Sequence, residues 1–157
     1  MPHLRLEVPE EWLHDEYKHA SGFDAHKLLD HLVDTLVAIR MPSAANPAET
    51  VPFINKSNLK HAIVPLHYAH MAGDPEKRFL HLTFATGNDT PGRSAAVRLN
   101  ASQVLGEELD KFMANFPSVM AHIGSITVWV QDIDRDRGYS TLQERKKKRE
   151  TASRPNA

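Results

Sequence analysis

Apolar and polar positions alternate strictly through His3-Leu4-Arg5-Leu6-Glu7-Val8, with Leu4, Leu6 and Val8 on one face, and Pro9 ends the run by removing a ladder donor. This pattern predicts a first strand. From Asp24 to Arg40 the period changes to three-four spacing, with Leu28, Leu29, Leu32, Val33, Leu36 and Val37 on one stripe, Asp24 at the N-cap position and Pro42 beyond the end. A first helix follows from it. Lys60 to Tyr68 is rich in strand formers and predicts a second strand, and Arg78 to Thr86 sets Phe79, His81 and Thr83 against Leu80, Leu82 and Phe84 and predicts a third. Ser94 is placed to cap a second helix, whose apolar stripe runs through Val97, Val104, Leu105, Leu109, Phe112, Met113 and Phe116 and ends before Pro117. Ser125 to Ile133 alternates again and gives a fourth strand.

The intervening stretches carry weaker signals. Glu10 to Gly22 is polar with two aromatics and reads as a connecting excursion with room for a helical turn. Met41 to Ser57 holds three prolines among Ala, Ser, Asn and Thr and shows no period, so it reads as a long loop, a lid or an interface arm. Met71-Ala72-Gly73-Asp74-Pro75 and Gly87 to Gly92 are turn chemistry. The order strand, helix, strand occurs twice. Two βαβ units suggest an α+β fold, a four-stranded sheet with both helices on one face, although no sequence repeat between the halves is visible. The other face is then bare, which in a chain this apolar points to burial in a homo-oligomer.

Composition narrows the classes. At 157 residues, 41% hydrophobic and 25% charged, the chain fits one domain with an ordinary core, read as residues 1–133 with insertions at about 10–22 and 41–57, followed by a tail at 134–157. No apolar run is long enough to span a bilayer, and Met1 to Pro9 lacks the features of a secretory signal. The absence of cysteine excludes disulfides, thiolate metal sites, iron–sulfur clusters and cysteine nucleophiles, and a cytoplasmic location is the default expectation. The net charge of −1 hides an asymmetry, because from Asp134 onward eight Lys or Arg face four Asp or Glu, while Met1 to Ile133 has eleven against sixteen. An acidic body is a poor partner for nucleic acid. The tail's run Arg145-Lys146-Lys147-Lys148-Arg149 reads first as a solvated end, next as an arm docking on a neighbouring subunit, and last as a nucleic-acid contact.

Candidate chemistry gathers at one edge of the expected sheet. Pro2 follows the initiator Met, and removal of Met1 would leave a secondary amine able to act as a base. In a right-handed βαβ unit strands one and two run parallel, so Pro2 and Lys60, each at a strand start, share an edge. If the second unit runs antiparallel to the first, strand three brings its C-terminal turn and Arg93 to that edge as well. A base and two cations would converge there. The histidines offer less: there is no His-Glu-x-x-His and no paired carboxylate at ligand spacing, His81 reads as a packing residue within the sheet, and His3 carries no assigned role. Trp129 reads as core or subunit-interface packing, and no Gly-rich phosphate loop, nucleophile elbow or kinase motif is present.

Met1-Pro2-His3 opening an alternating strand, Phe79-Leu80-His81-Leu82-Thr83, and Gly92-Arg93-Ser94 before a helix resemble, in that order and spacing, the 5-carboxymethyl-2-hydroxymuconate isomerases of the tautomerase superfamily. The resemblance covers the strands and the second helix, about two thirds of the chain. It implies a β-α-β tautomerase fold assembled as a trimer, with the amino-terminal proline as base, arginines binding a dicarboxylate substrate, no cofactor, and a place in aromatic-compound catabolism. Pro2 takes the proline position and Arg93 one arginine position. The other arginine position, just inside strand two, falls on Lys60 if the turn around Met71 is one residue shorter here. Lysine keeps the charge but loses the planar fork that grips a carboxylate at two points, so the departure bears on substrate identity more than on reaction type.

The chemistry such a site performs is consistent with these residues. Moving a proton within an unsaturated or 2-hydroxy acid needs one group that takes and returns it and that is partly unprotonated near neutral pH. Terminal amines titrate at about 7.7 to 8.0, and nearby cations with partial burial lower that value. The same cations attract substrate carboxylates and stabilise the developing dienolate. The sequence thus points to a cofactor-independent tautomerase acting on a small carboxylate or dicarboxylate, with Pro2 as base and Lys60 and Arg93 as binders. The alternative is a trimer that keeps the scaffold as a noncatalytic ligand-binding or interaction protein.

Overall fold

The opening alternation builds β1 (His3–Pro9), in which Leu4, Leu6 and Val8 are buried and the intervening residues are not. The structure is a computed structural model and describes residues 2–71, 73–87 and 94–133. A single 3-10 turn at Glu10–Leu13 leads into a short helix, α1 (Asp15–Ser21), closed by Gly22 in the left-handed region at φ 72°. Asp24 then caps α2 (Ala25–Ala38), its carboxylate accepting from the His26 amide at 3.0 Å. The chain next forms a small hairpin, β2 (Arg40–Pro42) with β3 (Thr50–Pro52), before β4 (Lys60–Leu66). β5 (His70–Met71) and β6 (Asp74–Gly87) follow, then α3 (Ala95–Met113), capped by Ser94 Oγ on the Val97 amide, a one-turn α4 (Pro117–Met120), and β7 (Ile123–Ile133).

β1 lies between β4, which runs parallel to it, and β6, which runs antiparallel, while β7 pairs parallel along the other side of β6. Each half is therefore a parallel β-α-β unit, and the two units are antiparallel to each other through β1 and β6. Leu4, Leu6, Leu80, Leu82 and Phe84 from the strands meet Leu28, Leu32 and Leu36 of α2 and Leu105, Leu109 and Met113 of α3 in one core, so both long helices cover the same face. The opposite face, through His3, Arg5, Glu7, His81, Thr83 and Trp129, has no helix over it among the described residues, and Trp129 is 55% exposed. Within the described chain Trp129 is therefore not a core residue.

Three stretches carry more structure than their sequence signals predicted. β5 adds a short fifth strand to the expected four, pairing His70 with Arg78. Glu10 to Gly22 is closed onto the core rather than looped out, because Trp12 is buried against Tyr17 and, edge-on, against Phe23, which in turn meets Phe116. Met41 to Ser57 is anchored at both ends, since Met41, Phe53 and Ile54 are buried and the Phe53 ring packs edge-on against Phe84 at 5.8 Å. The expected basic tail at 134–157 lies outside the described residues.

Candidate active site

The parallel and antiparallel registers define which side chains can meet at the start of β1. His3 is paired with Lys60 on β4 and with Ala85 on β6, so the beginnings of β1 and β4 and the end of β6 lie at one end of the sheet. Pro2, one residue before β1, is buried, and its carbonyl accepts a hydrogen bond from the Lys60 amide at 3.1 Å. The Lys60 side chain is exposed. The predicted neighbourhood of Pro2 and Lys60 is thus present in the fold. β6 reaches this same end at Gly87, after the fully buried Thr86, but Arg93 lies outside the described residues.

Electrostatics disfavour an added proton on His3. The His3 imidazole is held below its ordinary value, by burial first and then by the positive charge of Lys60. His3 was without a role on sequence grounds because alternation alone assigns a face and no neighbour. The signal that could have found it is the pairing of strands one and two, which puts His3 beside Lys60 once their parallel register is aligned.

The insertion packs onto the sheet through Phe53. The Phe53 amide donates to the Ile39 carbonyl at 2.8 Å, and the Phe84 against which its ring packs is the cross-strand partner of Leu4, two residues from Pro2. Arg40, at the hairpin's base, donates from its guanidinium to the Thr50 carbonyl at 3.0 Å. It also borders a cavity of about 370 Å³ between α2 and α3, lined by Thr35, Ile39, Asn100, Val104 and Glu108 but not by Pro2. Four other histidines are engaged elsewhere: His31 with Glu108 between the long helices, His67 with Glu10, His70 with Arg78, and His81 with its ring 6.3 Å from Trp129 on the helix-free face. Among the described residues no group of three or more His, Asp or Glu is arranged to hold a metal ion, and no helix is long and apolar enough to cross a membrane.

No family model and no curated protein sequence matches the chain. Its fold is that of the tautomerase superfamily. A 5-carboxymethyl-2-hydroxymuconate delta-isomerase aligns over 100% of this chain and 96% of its own, at a TM-score of 0.64 and 13% identity. A 5-carboxymethyl-2-hydroxymuconate isomerase from Deinococcus radiodurans R1 aligns over 89% of this chain and 88% of its own, at 0.60 and 19% identity. A fused 4-OT described as a symmetric trimer aligns over 90% and 93%, at 0.52 and 12% identity. What is shared at these identities is the arrangement of strands and helices.

Proposed function

We propose that the chain is a cofactor-independent isomerase that moves a proton within a small unsaturated or 2-hydroxy carboxylic acid. Pro2 serves as the general base once Met1 is removed, and Lys60 and Arg93 bind the substrate's carboxylates. The observation that carries this reading is the junction of Pro2 with Lys60, whose amide bonds the Pro2 carbonyl at the sheet end where β6 also terminates.

In this mechanism the amine of Pro2 takes a proton from carbon, whose bonding pair moves through the conjugated system onto an oxygen, or directly from an enol oxygen, and then returns the proton to a different carbon as the pair flows back from that oxygen to form the new C–H bond. Lys60 and Arg93 offset the substrate charge and the charge that develops. The functional unit in the proposal is a homotrimer in the cytoplasm, built from residues 1–133 and joined through the helix-free sheet faces, with 134–157 as a tail. The bare face of the sheet supports that assembly, as does the trimer among the structures of similar fold. The substrate class extends to acids formed when aromatic rings are opened.

The test is a panel of 2-hydroxy-dienoic mono- and dicarboxylic acids, with ketonisation and double-bond migration followed by ultraviolet absorbance and intact mass recorded on the same preparation. Loss of Met1 together with turnover of at least one dicarboxylate is the expected result. No turnover across the panel at micromolar protein would remove the isomerase reading and leave the noncatalytic one.

A further inference from the structure

We propose that His3 is a third substrate-contacting group, whose uncharged imidazole donates a hydrogen bond to the substrate oxygen that gains charge when Pro2 removes a proton. The inference rests on the Pro2 reading and extends it.

Its basis is geometric. Directly paired residues of neighbouring strands point to the same face, so the His3 side chain stands beside that of Lys60 on the helix-free face, with Ala85 on its other flank. Ala85 is small and carries no polar side-chain group to engage the ring. No protein partner for the imidazole is present among the described residues. Two residues along the same face is Arg5, whose guanidinium is occupied by Glu7 at 3.0 Å. Among the described residues no helix packs on this side, and the charges that bear on the imidazole within the chain are Lys60 and the amino terminus, both cations. Protonating the ring would place a further positive charge beside them in a partly buried position, where a charged group is poorly solvated. A neutral imidazole keeps one N–H donor and one acceptor. It can donate to an oxygen without transferring its proton, while Lys60 beside it holds a carboxylate.

The division of labour follows from charge. Lys60 is charged in both ground and transition states, so its attraction to a carboxylate is spent mainly on binding. A hydrogen bond to an oxygen that becomes negative strengthens only as the reaction proceeds, and so it acts on turnover. Removing one donor aimed at a developing oxyanion lowers turnover by roughly 100- to 1000-fold.

The experiment measures kcat and KM for His3→Phe, His3→Gln and Pro2→Ala with the best dicarboxylate of the panel, across pH 5 to 9. His3→Gln keeps an N–H donor and guards against a folding failure in His3→Phe. The expected result is a fall in kcat of about 100-fold for His3→Phe at nearly constant KM, with most of it restored in His3→Gln. The variant should also lose any acid-side decline in wild-type activity that comes from charging the imidazole. If both His3 variants stay within twofold of wild type while Pro2→Ala is impaired, His3 has no contact with the reacting oxygen and the Pro2 reading stands. If Pro2→Ala is also unimpaired, or no acid of the panel turns over, both ideas are overturned.

Discussion

Phe53 tests whether the insertion between α2 and β4 belongs to the cooperative core. The side chain is fully buried in a stretch whose composition predicts a loop, and its ring meets Phe84 edge-on at 5.8 Å and 64°. An aromatic pair of this kind adds about 0.5–1.5 kcal/mol beyond its buried area. Truncation to alanine loses that contribution, the transfer free energy of the ring and the packing around the cavity it leaves, for a total of about 3–5 kcal/mol. The backbone bond from the Phe53 amide to the Ile39 carbonyl survives the substitution, so the loss is one of packing. For a chain of this size 1 kcal/mol shifts the midpoint by roughly 2–4 °C, which places Phe53→Ala about 6–20 °C below wild type. Phe53→Leu fills most of the space and should cost under about 1.5 kcal/mol. Thermal unfolding followed by circular dichroism compares the three proteins. A Phe53→Ala midpoint within 2 °C of wild type, roughly the shift that 1 kcal/mol gives, would refute the reasoning, because the insertion would then be unfolding independently of the sheet.

Three further outcomes follow from other parts of the molecule. Burial pushes the Asp24 carboxyl upward, but the Lys18 ammonium and the His26 amide more than offset this and hold it below its ordinary value. Its contribution is therefore present above the unfolded-state pKa of about 3.9 and is lost as pH falls through the lower folded value, and Asp24→Ala should cost about 1 kcal/mol at pH 7 in a denaturant titration, with the difference from wild type shrinking in acid. Lys60→Ala and Arg93→Ala should each weaken binding of a dicarboxylate inhibitor about tenfold by calorimetry, since a charge-assisted bond contributes about 1.5–3 kcal/mol, whereas Lys60→Arg should hold or improve it; unchanged affinity in both alanine variants would sink their assignment as binders. Light scattering should give three times the chain mass, and a stable monomer at micromolar concentration would contradict the trimer.

How much of this was legible in the sequence depends on whether the signal was local. α2 and α3 could be read because their stripes repeat every three or four residues and their caps, Asp24 and Ser94, sit where the first amides need an acceptor. β1, β6 and β7 alternate over enough residues to declare their faces, although β6 begins at Asp74, inside the stretch whose Gly, Asp and Pro read as a turn. The insertion was not legible in the same way, because Phe53 and Ile54 are two isolated apolar residues in an aperiodic, proline-containing stretch. Phe53 packs against Phe84, 31 residues further along the chain. β5 is too short to show a period and exists through its pairing with β6. At the candidate site the meeting of Pro2 with Lys60 followed from the handedness of a βαβ unit, whereas the place of His3 beside Lys60 needed the register, which no local pattern encodes.

The central claim is that Pro2 carries the proton, and the most direct measurement of it is turnover by Pro2→Ala on the best acid of the panel, with intact mass verifying that each protein begins at residue 2. Alanine leaves a primary amine, so residual activity is expected, but losing the positioned proline should lower kcat by roughly 100- to 10,000-fold while assembly is unchanged. A kcat within twofold of wild type in a properly processed protein would remove Pro2 from the mechanism.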